Sequence, residues 1–254
     1  MDYRVKVSLG GAAVALALGW VVSLVASTYV ATHSIEKRDR MRATASRDIC
    51  VKGFARLRIA SDVGVWEVEV VGEAPALREA YAILDAGQYA VRQFLSEKGF
   101  GAGEVAVGAI QTREVHARDK EGRELHAVEA YSLHRTVTVT SPQVEKIQAA
   151  TGEITALIGD GVRLSSQRPA FYYSKLADLK ISLLGEASRD ARARAEEIVS
   201  NSGGKVGAVR DARMGVLQVV RPNSTDMSAE GIYDTSTIDK DATAVVTVTY
   251  ALEG

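Results

Sequence analysis

The sequence predicts an α+β fold: antiparallel sheets with three helices, in the order β-β-α-β-β-α-β-α-β-β, preceded by one N-terminal transmembrane helix. Three observations carry this expectation. The first is Val7 to Ala31, VSLGGAAVALALGWVVSLVASTYVA, a run without a charge. At about 1.5 Å per helical residue it reaches roughly 37 Å, enough to cross a hydrocarbon core of about 30 Å with some tilt. The second is apolar/polar alternation at both ends of the remaining chain, in Ile49 to Ile59 and Ala242 to Leu252, the period of a half-buried strand. The third is a set of three stretches with apolar residues at helical spacing, each followed by glycine, which favours a left-handed helix stop.

Arg4 and Lys6 stand ahead of the apolar run like the n-region of a signal peptide. An h-region usually runs about 7 to 15 residues, however, and Tyr29-Val30-Ala31 is not a small-x-small cleavage site. An uncleaved signal anchor fits better. A lipoprotein is excluded, because the single cysteine, Cys50, follows Arg47-Asp48 and not the end of an apolar run. Small residues crowd the first half of the span without a Gly-x-x-x-Gly pair, so close helix pairing is not specified. The organisation expected is a short tail over 1–6, a transmembrane helix over 7–31, a charged linker over 32–47 and one α+β domain over 48–254.

The linker (SIEKRDRMRATASR in its latter part) has no apolar stripe. Next, Ile49, Val51, Gly53, Ala55, Leu57 and Ile59 alternate with Cys50, Lys52, Phe54, Arg56 and Arg58, predicting a strand that Ser61-Asp62 ends. A second strand is predicted over Val65 to Val71, with Trp66, Val68 and Val70 inward and Glu67 and Glu69 on the wet side. Pro75 suits a first helical position, Leu77, Ala80, Leu84, Val91 and Leu95 form a stripe, and Gly99 supplies the stop. Glu104 to His116 and Ala127 to Thr140 predict two strands joined at Asp119-Lys120-Glu121-Gly122. On the second of these, Tyr131, Leu133, Val137 and Val139 share one face, and Ser132 and His134 the other.

Ser141-Pro142 predicts the N-cap and first turn of a second helix with Val144, Ile147, Ile154 and Ile158 inward, closed by Gly159-Asp160-Gly161. A strand follows over Val162 to Tyr173. The longest helix is predicted over Lys175 to Asn201, its stripe running Leu176, Leu179, Leu183, Ala187, Ala191, Ala195, Ile198. Its outer face carries Asp190 with Arg194 and Arg192 with Glu196 at i, i+4. Strand-like sequence then runs from Val206 to Arg221, interrupted around Arg210 to Gly215, ahead of a long polar loop over Pro222 to Asp241. Loops of that length are functional or disordered, and this one is a candidate contact arm.

No catalytic, cofactor or metal constellation emerges. Gly203-Gly204-Lys205-Val206-Gly207 follows a helix and lacks the Ser or Thr of a phosphate loop. His33, His116, His126 and His134 show no zinc spacing, although His116 and His126 flank one hairpin and could meet across it. There is no Gly-x-Ser-x-Gly, and Glu67 with Glu69 reads as a solvated strand face. One cysteine makes no internal disulfide. A formal net charge of −1 offers no basic field for nucleic acid.

ICVKGFARLRIASDVGVWEVEV resembles the first two strands of the SIMPL-domain family, with its Ile/Val-x-Val-x-Gly strand and Asp turn. PAFYYSKLADLKISLLGEASRDARARAEEIVSNSGGKVGAV resembles the family's strand, Ala-rich basic helix and glycine turn. The similarity covers roughly Ile49 to Glu253, and the Asp62-x-x-x-Trp66 turn with the single span resembles the membrane-anchored branch. The resemblance, to a kinase-interacting SIMPL-like domain in exported bacterial envelope proteins, implies no catalytic residues. It implies ring-like homo-oligomers in some members and a link to oxidative-stress tolerance in others. The expectation is a non-enzymatic, single-pass inner-membrane protein with its C-terminal domain in the periplasm, self-assembling as a scaffold or ring. Its partners would be the membrane through 7–31, copies of itself and an envelope protein. A count of Lys and Arg, with Lys37, Arg38, Arg40, Arg42 and Arg47 after the span, argues for the opposite orientation. The alternatives are a monomeric ligand- or partner-binding module at the membrane surface, and a hydrolase.

Overall fold

The computed structural model describes residues 48–253. The tail, transmembrane helix and linker expected over 1–47, and His33, lie outside the described residues. Among those described, no helix is long and apolar enough to cross a membrane.

The chain runs β1 (Asp48–Ala60), β2 (Val63–Ala74), α1 (Leu77–Glu97), β3 (Val105–Val107), β4 (Gln111–Arg118), β5 (Glu124–Ser141), α2 (Val144–Glu153), β6 (Leu164–Ser166), β7 (Ala170–Tyr172), α3 (Leu176–Ser200), β8 (Lys205–Met214), β9 (Gln218–Val220), β10 (Ile232–Tyr233) and β11 (Asp239–Glu253). This is the expected α+β architecture with antiparallel-rich sheets and three helices. One sheet has the order β1-β11-β9-β10 with β8 also on β11, and the other the order β3-β5-β2-β6, with β4 on β5 and β7 on β2.

Two compact units result. The larger comprises 53–190 and 214–246. Its core lies where α1 and α2 cover the β2–β5 sheet: Trp66, Val68 and Val70 face Val139, Val137 and Arg135 in register, and Leu84, Val91, Leu95 and Ile147 close over them. Strand alternation sends Glu67 and Glu69 to the opposite face, as expected. The smaller unit comprises 48–52, 191–213 and 247–253 of the described residues. There Ala191, Ala195 and Val199 of α3 are buried, as are Val248 and Tyr250 of β11, and the Arg192 guanidinium lies 5.8 Å from the centre of the Tyr250 ring.

Several boundaries differ from the expectation. Pro75 precedes α1 by two residues, with Ala76 at the N-cap. Ser141 ends β5 and accepts a hydrogen bond from Gln143 N–H at 3.1 Å, so α2 begins at Val144. That helix stops at Glu153, and the following single-turn helix over Ala156–Gly159 leaves Ile158 exposed. The strand expected over Glu104 to His116 is two strands, because 108–110 sets three residues against two of β5 and breaks the regular pairing, although Gly108 N–H still donates to Thr136 O at 2.9 Å. The strand expected over Val162 to Tyr173 is also two, since Pro169 lacks the amide a ladder needs. β8 runs unbroken to Met214, and the interruption falls at 215–217. The buried stripe of α3 ends in Val199, with Ile198 exposed, and Leu57 of β1 is exposed too.

Candidate functional site

The longest strand, β5, does two jobs. Its C-terminal portion, Tyr131 to Ser141, pairs with β2. Among the described residues its N-terminal portion has only β4 beside it: Val115 opposes Ala130, His116 opposes Val128 and Arg118 opposes Glu124. Glu114 and Val115 of β4, and all of 124–129, are exposed on both faces, Val115, Leu125 and Val128 included. The tip is closed by Asp119, which accepts from Glu121 N–H at 3.0 Å, Arg123 N–H at 2.8 Å and the Arg123 guanidinium at 2.8 Å, while Gly122 takes a φ of 81°. These bonds, the Arg123 amide first, hold the Asp119 carboxyl below its ordinary range. Among the described residues β4 pairs with β5 alone, so its outer backbone groups form an open edge. The register shifts at Val115/His116 and His116/Arg118 put the extra residues on β5. His126 falls within the second shift, and the opposite number of His116 is Val128. The alternation of β4 itself is unbroken.

On the outer face of the β2–β5 sheet, register brings together residues the sequence left on separate strands. Ser132 Oγ and His134 Nε2 lie 3.1 Å apart, and His134 Nδ1 lies 3.3 Å from Glu69 Oε1. That is the connectivity of a nucleophile, base and orienting acid. Accessibility argues against that chemistry: Ser132 is 6% exposed, and His134 Nδ1 is buried without a hydrogen-bond partner because the nearby carboxylate is out of line with it. β5 and β2 are held together here by their backbone ladder. Glu67 plays no part in the cluster.

Two charged neighbours on β11 hold the segment the sequence reads as a loop. Lys240 shares the inward face of Ala242 and Ala244, is fully buried, and donates to the Thr237 carbonyl. Burial pushes its pKa down, against the opposing charge of Asp234. Asp241 points to the other face and is 2% exposed. It accepts from Arg58 at 3.0 and 3.1 Å, from Arg56, and from Asn223 N–H at 3.3 Å. These bonds, those of Arg58 first, hold its carboxyl far below the usual range. With β10 paired to β9 and Gln218 donating to Ser228 O at 2.6 Å, the segment is fastened to its own domain at several points.

The remaining residues singled out by sequence have structural places. Asp62 accepts from Ser174 N–H and Oγ, both at 2.7 Å; burial raises its pKa, but these bonds outweigh that and lower it. Trp66 is fully buried and its Nε1 donates to Ser166 Oγ at 3.0 Å. Asp190 accepts from Phe54 N–H at 2.8 Å, and Arg192 pairs with Glu196 at 2.8 Å. Gly203 takes a φ of 79° as the stop of α3. Cys50 is a free, exposed thiol. A cleft of about 620 Å³ lies between α1 and the 157–163 turn, with Ile83, Ala90, Phe94, Leu157 and Val162 on its apolar walls.

Residues 49–250 match the family model of SIMPL, described as a protein of unknown function (DUF541). The chain belongs to the SIMPL family. No curated protein matches it. Among solved structures, this SIMPL protein is similar to the ligand-free regulatory subunit of aspartate kinase from Thermus thermophilus, at 12% identity and a TM-score of 0.17, over 79% of this chain and 88% of that one. It is also similar to a conserved protein from Listeria innocua, at 10% identity and a TM-score of 0.18, over 75% and 91%. Likeness at these scores carries no argument about the SIMPL chain.

Proposed function

We propose that this SIMPL-family protein is a non-enzymatic, self-assembling component of the bacterial envelope. It belongs to the membrane-anchored branch, is held by residues 7–31 in the inner membrane as a single-pass protein, and carries its domain in the periplasm. Its partners are copies of itself and, as a scaffold, another envelope protein; a role in oxidative-stress tolerance fits the same placement. The observation that carries the reading is the β4–β5 arm: a two-stranded ribbon, exposed on both faces, with an open edge. Such a ribbon is marginal alone, and an open edge is a template for another strand.

The test is the mass of the detergent-solubilised full-length protein by light scattering, beside that of a chain beginning at Arg47. The same large particle from both supports assembly through the folded domain. Two monomers overturn it and favour the second reading, a binding module, for which the apolar cleft beside α1 is the supporting observation.

A further inference from the structure

Resting on the assembly reading, we infer that two copies join edge to edge through antiparallel pairing of their β4 strands, about a two-fold axis at His116. The argument is one of register. Around a two-fold axis perpendicular to such a ribbon, residues equally spaced before and after the axis face one another on the same side. With the axis at His116, Glu114 faces Arg118 of the second copy and Val115 faces Ala117, all within β4. Symmetry makes each contact twice, so two opposite-charge pairs accompany a small apolar patch.

Neighbouring registers do worse. An axis at Glu114 sets that carboxylate against its own copy. An axis at Val115 leaves Arg113 opposite Ala117 and Arg118 opposite Thr112. An axis at Ala117 needs Lys120 and Glu121, which belong to the turn and not to β4. The pairing side chains are also exposed: Arg118 meets Glu124 at 3.4 Å with both about two-thirds exposed, and Glu114 lies 4.0 Å from His116. Cross-strand pairs of opposite charge stabilise a ribbon, and like charges directly opposite destabilise it.

The experiment is a charge swap in the full-length protein, in a Cys50→Ser background, read as the concentration at which the association mass falls to half. Glu114→Arg alone and Arg118→Glu alone each create two like-charge pairs and raise that concentration about tenfold. The double variant re-pairs them in reverse and restores it to within about threefold. Glu124→Gln, which removes only the in-chain neighbour of Arg118, leaves association unchanged. His116→Cys in the same background gives a disulfide-linked dimer on mild oxidation. Association untouched by the single variants, or a double variant as weak as either, overturns the register while the assembly reading stands; a wild-type monomer at every concentration overturns both.

Discussion

A β-carbon built on Gly72 of β2 would stand 2.2 Å from the carbonyl oxygen of Ala80 in α1, and 2.6 Å from the Leu84 amide nitrogen. The helix rests directly on the strand backbone at this point. Backbone cannot turn aside as a side chain can, so Gly72→Ala forces α1 away from the sheet and costs about 3 kcal/mol. Urea unfolding measures it; an unchanged midpoint would show that α1 is free to shift.

Asp241→Asn removes the charge on which Arg56, Arg58 and the Asn223 amide converge. The expected loss is about 2 kcal/mol at neutral pH. The sign with pH follows from the lowered carboxyl pKa. The stabilisation is fully present above the ordinary Asp value of about 3.9 and is lost as pH falls through the folded value. The native protein therefore loses stability through this acid window, and the Asn variant has a shallower acid limb in a pH series of thermal melts.

Trp66→Phe empties part of the core and removes the donor to Ser166 Oγ. A loss of about 2 kcal/mol is expected. Ser166→Ala costs less, and the double variant loses less than the sum, since both substitutions remove the same bond. Denaturant unfolding of the four proteins gives the coupling.

Ser132 is expected to stay unmodified when the protein is incubated with a serine-reactive fluorophosphonate and read by intact mass. Its hydroxyl is enclosed between β2 and β4 in register, opposite Glu73 and Arg113. Labelling that disappears in His134→Gln would contradict the non-enzymatic reading.

Much of this architecture is legible in residue order. Of the expected α1 stripe, Ala80, Leu84, Val91 and Leu95 are buried as the spacing predicts, while Leu77, in the first turn, is exposed; Gly87 completes the stripe but carries no hydrophobic signal. Ser132 and His134 fall on one face by simple alternation. Their neighbour Glu69 does not show, because it depends on which residue of β2 lies beside which residue of β5. Lys240 was hidden for a different reason: a lysine reads as solvated, and only the Thr237 carbonyl and the inward phase of β11 explain its burial. The open edge of β4 is not legible either, since no local pattern reveals that a strand lacks a second neighbour among the described residues.

In the first sheet, β1 at the start of the described residues lies beside β11 at their end. A ribosome delivers the two some 180 residues apart, and a nascent chain folds as its segments emerge. β1 must therefore wait, its ladder groups unmet, until translation of the domain is nearly finished, whereas β2, α1 and β5 can already close on one another. A truncation that removes only β11 would strand the first strand as well as the last, and quality-control proteases would meet two loose ends where the sequence had lost one.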